Sequence, residues 1–282
     1  MGEVEVSIIC NSYNHENYIK DALESFVQQK TSFRFEVLIH DDASTDKTAD
    51  IIREYEQKYP DIIKPIYQKE NQYSRRVSIT RTVQLPRARG KYIAFCEGDD
   101  YWTSDHKLQT QYEIMESHPE IDMCAHGAYI LDMRNESKTK WNYPEMDNKI
   151  IPLAEVIEKG GGFLPSASLF YRTDIEKRPP QFRLAYGIDY TLQVSGALRG
   201  GIYYISEPMC VYRRMNPTSW TATLRKDEIK KIAHKKLINQ TMRLMDETTN
   251  GKFHSFFSKQ IVENNIKIVL LKLMVLVKKT RK

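Results

Sequence analysis

Two adjacent carboxylates, Asp99-Asp100, end an apolar run that begins at Lys91 and closes through Glu97-Gly98. Side by side at a strand end they repel one another, and a nearby cation would relieve that. Mg²⁺ and Mn²⁺ take oxygen ligands, often one or two carboxylates together with phosphate oxygens. The same pair also reads as a solvated turn capping a helix that begins near Ser104. A second cluster is Asp41-Asp42-Ala43-Ser44-Thr45-Asp46. A carboxylate there can accept a hydrogen bond from a nucleobase N–H or a ribose hydroxyl. Ser44 or Asp46 also suits a helix cap, which leaves Asp42 free. Asn11-Ser12-Tyr13-Asn14 makes a third polar cluster.

Each cluster follows a short apolar run that reads as a strand. The spacing predicts strands at 4–10, 35–39, 62–67 and 91–96. Ile19, Leu23, Phe26 and Val27 recur with helical period within 16–29, and Ile51, Ile52 and Tyr55 do so after Asp46. Residues 75–89 are rich in Arg and read as partly helical. Repeated βα units predict a mostly parallel sheet with right-handed crossovers. Ligands in such sheets bind beyond the carboxyl ends of the strands, where the three clusters would meet. Further on, 108–115 reads as a helix, 123–131 as a strand, 134–149 as a loop and 167–171 as a strand. A helix follows Asp189 over 190–198. Two short strands are expected at 202–205 and 209–212, and from Leu224 the pattern is helical.

The chain has 282 residues, 41% of them apolar and 28% charged, an ordinary globular balance. Its net charge of +5 is unevenly spread. Residues 1–224 hold 27 basic and 32 acidic side chains; residues 225–282 hold 15 and 5. An acidic body with a basic end does not read as a whole-chain nucleic-acid binder. Cys10, Cys96, Cys124 and Cys210 form no C-x-x-C pair, which argues against a zinc site or a disulfide framework. The start of the chain lacks a signal-peptide pattern, so a reducing cytosol is the expected compartment. No G-x-G-x-x-G, P-loop, G-x-S-x-G or H-E-x-x-H occurs, and Gly160-Gly161-Gly162 lacks the Lys and Ser/Thr of a phosphate loop.

Taken in order, Ser7 to Asn14, Asp41 to Asp46, and Gly90 to Trp102 resemble glycosyltransferase family 2, which has the GT-A fold. The likeness weakens towards residue 220, through Tyr186-Gly187-Ile188-Asp189-Tyr190 and Glu207-Pro208-Met209-Cys210-Val211-Tyr212-Arg213. It implies an α/β, GT-A-type, mostly parallel central sheet flanked by helices, with a C-terminal helical extension. Residues 1–100 would be the nucleotide-sugar half, 101–222 the acceptor half of the same domain, and 223–282 the extension.

The resemblance also implies roles. Asn11, Tyr13, Asp42, Arg81 and Asp99 would bind the donor: Tyr13 and Asp42 the base, Arg81 the base or diphosphate, Asp99 the ribose. Asp100 would bind a divalent metal, Mn²⁺ or Mg²⁺. Asp189 would be the general base, its alternative being a helix N-cap. Relatives often carry a His after the closing Tyr-Arg. Here Arg213 or Arg214 would supply positive charge to the diphosphate, and Trp102, next to the metal motif, would contact diphosphate or acceptor. Core packing is the commoner fate of such aromatic residues, Tyr101, Trp141 and Trp220 included.

The implied function is metal-dependent, inverting transfer from a nucleotide-diphosphate sugar, UDP-linked, to a glycan or polyprenyl-linked glycan hydroxyl. It would serve bacterial surface polysaccharide synthesis such as capsule or O-antigen. The rivals are a catalytically silent sugar-nucleotide or glycan-binding module and a nucleotidyltransferase; the second should show a Gly-rich loop where Ser7 to Asn14 has none. At the basic end, residues 266–277 would span about 18 Å, short of a hydrocarbon core of roughly 30 Å. Residues 259–282 read as a helix lying on an anionic membrane surface, or as one packed on the body with solvated lysines. The expected location is cytoplasmic, peripheral at the inner face of the membrane.

Overall fold

The computed structural model describes residues 3–75, 77–141, 147–177, 189–215, 224 and 227–280. Strand β1 (Val4–Ser12) lies between β2 (Arg34–Asp41) and β4 (Tyr92–Phe95), parallel to both, and β3 (Ile63–Tyr67) extends the parallel set beyond β2. Helices α1 (Ile19–Val27) and α2 (Thr48–Lys58) make the crossovers. Successive β1 residues serve opposite faces: Ile8 joins the core with Leu23, Phe26 and Ile52, while Ile9 joins a second core with Ile93 and Met123. A sheet buried on both faces explains the nearly continuous apolar runs.

The second half adds β5 (Tyr101–Trp102), α3 (Lys107–Ser117), β6 (Met123–Asp132), β7 (Ser137–Lys140), β8 (Lys149–Ile151), α4 (Leu153–Lys159) and β9 (Phe170–Arg172). Then come α5 (Asp189–Ala197), β10 (Ile202–Arg214), α6 (Glu228–Thr248) and α7 (His254–Thr280). The strand order is β3-β2-β1-β4-β9-β6-β10-β5, with β7 beside β6 and β8 beside β10. β9 runs antiparallel to both β4 and β6, so the two halves share one sheet rather than two. Helices α4 to α7 supply Val156, Val194, Met242 and Phe257 to the second core.

Two local expectations need correction, and a third takes a particular form. The two short strands at 202–205 and 209–212 are one strand, β10, whose pairing with β6 shifts register around Pro208. A proline cannot donate to the ladder, so the interruption is local and the strand resumes. The expected loop at 134–149 contains β7 and the start of β8; all four β7 residues are exposed, so no burial pattern marks it. The helical part of 75–89 is a π turn, Thr80–Gln84, followed by a 3₁₀ turn, Leu85–Arg87. Among the described residues, no helix is long and apolar enough to cross a membrane.

Gly90, at the opposite end of β4, is required by a close backbone approach. A Cβ there would lie 2.5 Å from the Ser7 nitrogen and 2.8 Å from the Val6 carbonyl carbon.

Candidate active site

Register brings the three polar clusters to one edge. Ser12 pairs with Asp41, and Ile9 pairs with Phe95. Beyond the ladder, Asp42 donates its N–H to the Ser12 carbonyl (2.9 Å) and Gly98 donates to the Asn11 carbonyl (2.9 Å). The loops after β1 and β2 are knit together. Ser44 Oγ accepts from the Asn14 N–H at 3.0 Å, Thr48 Oγ1 accepts from the His15 N–H at 2.7 Å, and Asp46 accepts from the Glu16 and Thr48 N–H groups. The N-cap of α2 is Lys47, which makes no side-chain cap bond; Asp46, one residue earlier, accepts from the N–H of Thr48, the first residue of α2, and leaves Asp42 to another task.

Asp42 is nearly fully buried, and each of its carboxylate oxygens takes a backbone N–H, from Gln72 (2.7 Å) and Tyr73 (3.0 Å). Both Asp42 oxygens are thus engaged by the loop after β3. Tyr13 is exposed beside it. Asn11 Nδ2 donates to Thr80 Oγ1 (3.1 Å) and Glu97 Oε1 (3.4 Å), while its Oδ1 is buried without a partner. Arg81, half-buried, follows Thr80 on the π turn, so it too stands near this edge.

Asp99-Asp100 is held by Arg213, at the far end of β10. The Arg213 N–H donates to Asp100 Oδ1 at 2.8 Å, and its Nη1 donates to the Asp99 carbonyl at 2.9 Å. Its Nη2 pairs with Asp21 on α1, and the guanidinium lies against the rings of Tyr18 and Tyr101, 5.2 and 4.6 Å from their centroids. Only 6% of Arg213 is exposed. Arg213, expected at a diphosphate, here braces the acidic turn through Nη1, Nη2 and its two ring contacts. Replacing Arg213 with Met keeps the stem and the backbone N–H to Asp100 but removes the donors to the Asp99 carbonyl and to Asp21. The expected cost is about 2–3 kcal/mol of stability, read as a lowered urea midpoint.

The other two residues expected at the diphosphate or acceptor also have partners within the protein. Trp102 is 4% exposed, donates Nε1 to the Ala167 carbonyl, packs edge-on against Phe26 and is covered by Lys107 Nζ at 4.0 Å. It is a core residue with no face for a ligand. Arg214, the next residue on β10 and so on the other face, pairs with Asp132 at 3.2 Å, beside Arg134.

Two neighbours were not singled out from the sequence. Glu97 sits against Asn11, and its carboxyl is pushed up to about 8, by burial first and then by the charges of Asp99 and Asp189. His15 is held below the ordinary imidazole range by burial, against the opposing charges of Asp99 and Asp46. A Cβ on Gly98 would come within 2.9 Å of His15 Nδ1, so glycine lets this turn close over the loop after β1. Asp100 is driven well above the usual carboxylate range by burial and by Asp99. Asp189 opens α5 and meets solvent, yet desolvation by the surrounding protein pushes its carboxyl up to about 6. Glu97 thus feels the charges of both Asp99 and Asp189, and Asp100 those of Asp99 and Glu97. Among the described residues no three His, Cys, Asp or Glu side chains are grouped so as to hold a metal by themselves. Trp220 and residues 186–188 lie outside the described residues.

Known proteins are similar to this chain in sequence and fold. An uncharacterized protein of Mycobacterium tuberculosis is 35% identical over 221 residues, 76% of this chain and 60% of that protein. The chain thus spans about three-fifths of the length of that relative. The Escherichia coli UDP-Glc:alpha-D-GlcNAc-diphosphoundecaprenol beta-1,3-glucosyltransferase WfaP is 38% identical over 112 residues, 40% of this chain and 41% of WfaP. Among solved structures, the fold matches Pyrobaculum calidifontis mannosyltransferase PcManGT with GDP-Man and Mn²⁺ at a TM-score of 0.62 and 14% identity, covering all of this chain and 77% of the other. Staphylococcus aureus TarS 1–349 with UDP-GlcNAc matches at 0.60 and 18%, covering 95% and 81%. These matches show the GT-A arrangement. A family model, "Glycosyl transferase family 2", matches residues 7–178, which takes in the parallel strands, Asp42 and the Asp99-Asp100 turn: the chain belongs to glycosyl transferase family 2.

Proposed function

We propose that the chain transfers a sugar from a UDP-linked donor to a hydroxyl of a glycan or lipid-linked glycan, with inversion, in bacterial surface polysaccharide synthesis. The observation that carries this reading is the meeting of Asn11, Asp42, Glu97 and Asp99-Asp100 at one sheet edge, within electrostatic reach of Asp189 on α5. The matches to a UDP-Glc transferase and to a protein holding UDP-GlcNAc favour uridine; the match to a protein holding GDP-Man is why the donor must be tested. The undecaprenol acceptor in WfaP's name favours a lipid-linked acceptor.

In this reading residues 1–100 hold the donor and residues 101–222 the acceptor. Tyr13 stacks on the base, Asp42 and Arg81 lie along the base and diphosphate, and Asp99 meets the ribose. The acidic turn suits a divalent cation, Mn²⁺ or Mg²⁺: Asp100 is buried among like charges that a cation would offset. One or two carboxylates completed by phosphate oxygens is a usual site for such ions. A cation held by Asp100 would neutralise charge developing on the leaving diphosphate. Arg213 positions that carboxylate. Asp189 takes the proton of the acceptor hydroxyl as its oxygen bonds to the anomeric carbon. The anomeric C–O bond to the diphosphate breaks on the opposite face, so configuration inverts.

A thermal-shift screen of sugar nucleotides, each with and without Mn²⁺, tests the reading. Ligand at 100 times its Kd adds about 2.7 kcal/mol to apparent stability. UDP-sugars are expected to raise the melting temperature only with the metal. No shift with any nucleotide, or the same shift without metal, would contradict the proposal.

A further inference from the structure

Helix α7 has two apolar faces, and only one is used. Phe257, Asn264 and Ile268 are buried, packing towards α4 and α6. Asn264 exchanges hydrogen bonds with Lys235 and Asn239, and Lys259 and Gln260 fasten the helix to Glu158. At 100° per residue, these buried positions point away from a second stripe. Val262, Ile266, Val269, Leu270, Leu273 and Leu276 lie on that stripe, and each is between 53% and 58% exposed. The stripe runs about 21 Å along the helix. Isolated exposed apolar residues need no explanation, but a continuous row marks a covered surface.

Charge decides what covers it. On the helical wheel Lys272 borders one edge of the stripe; Lys267, paired with Glu263, and Lys278, paired with Glu228, border the other. Helix α7 carries five lysines and one glutamate. Two copies meeting through this face would bring the same lysines together. A surface with apolar depth and negative charge satisfies both stripe and border, because lysine stems can lie along it while the ammonium groups reach anionic headgroups. The helix cannot cross a bilayer but can lie in its interface.

We infer that the exposed face of α7 seats the protein on an anionic lipid bilayer, with the apolar row at the acyl boundary and the bordering lysines among the headgroups. This inference stands apart from the transferase reading, since it needs no catalysis. The test is flotation of the full chain with phosphatidylcholine vesicles, with and without phosphatidylglycerol. Binding is expected only with phosphatidylglycerol, weakened by salt.

The triple variant Val269→Ser, Leu273→Ser, Leu276→Ser is expected to bind about tenfold less or worse. Its melting temperature should stay near wild type, because all three side chains already face solvent. Lys272→Glu, which leaves the apolar row intact, should lower binding to the anionic vesicles several-fold. Wild-type protein that does not float with anionic vesicles would overturn the inference. So would a triple variant that binds like wild type. A solution dimer that the triple variant converts to monomer would assign the face to a second copy instead.

Discussion

Asp189→Asn is expected to leave UDP binding unchanged while transfer falls by about 10²–10⁴-fold, the usual contribution of a positioned general base. The substitution keeps the shape of the side chain and removes its ability to accept a proton. Asp189 opens α5 and reaches solvent, so an amide there creates no buried unsatisfied group. Its carboxyl is raised to about 6 by desolvation. A base works in its ionised form, so wild-type transfer should climb with pH and level off above about 6. An unperturbed carboxylate would place that limb near 4. Initial rates across this range, alongside calorimetric UDP affinities, separate the two readings of the residue. If Asp189 is only a helix N-cap, the variant loses some stability but keeps its turnover. Full turnover by the variant would refute the base assignment.

The parts of the site visible in the sequence were those written within one strand and the turn after it. Asp41-Asp42 and Asp99-Asp100 each follow an apolar β-branched run, so their place at a strand end could be read locally. That those ends share one edge followed from the βα repeat, and the pairing of Ser12 with Asp41 gives that edge its register.

What was illegible depends on distant partners or on phase. Arg213 and Asp21 are 192 positions apart, and nothing local to either signals a bridge. Arg213 could be seen as a charge near the site but not as a charge already engaged. Trp102 fails for a different reason. It belongs to a two-residue strand, too short for alternation to reveal which residue points inward; Tyr101 meets Arg213 and Trp102 enters the core. Glu97 stood in the motif all along, but its importance comes from the surrounding Asn11, Asp99 and Asp189. Strand β7 carries no apolar residue to report burial.

Asp100→Asn should separate stability from metal binding, moving them in opposite directions. In the metal-free protein the Asp100 carboxylate is buried, with Asp99 and Glu97 opposing its charge, and its pKa lies well above the ordinary value. The folded state therefore holds this proton more tightly than the unfolded chain does. Through this group, stability without metal falls as pH rises above the unfolded value. An amide keeps Oδ1 as acceptor for the Arg213 N–H and removes the repelled charge. In EDTA the variant should therefore melt at or above the wild-type temperature at neutral pH, and the difference should shrink on acidification. With Mn²⁺ and UDP the order should reverse. Losing an outer-shell partner typically costs about 10–100-fold in metal affinity, and losing a ligand should cost more. Paired melts at acidic and neutral pH, in EDTA and in Mn²⁺ with UDP, read both effects from one protein. A variant that keeps wild-type, metal-dependent UDP binding would remove Asp100 from the metal site. A variant destabilised in EDTA would mean that the carboxylate stabilises the turn instead of being repelled within it.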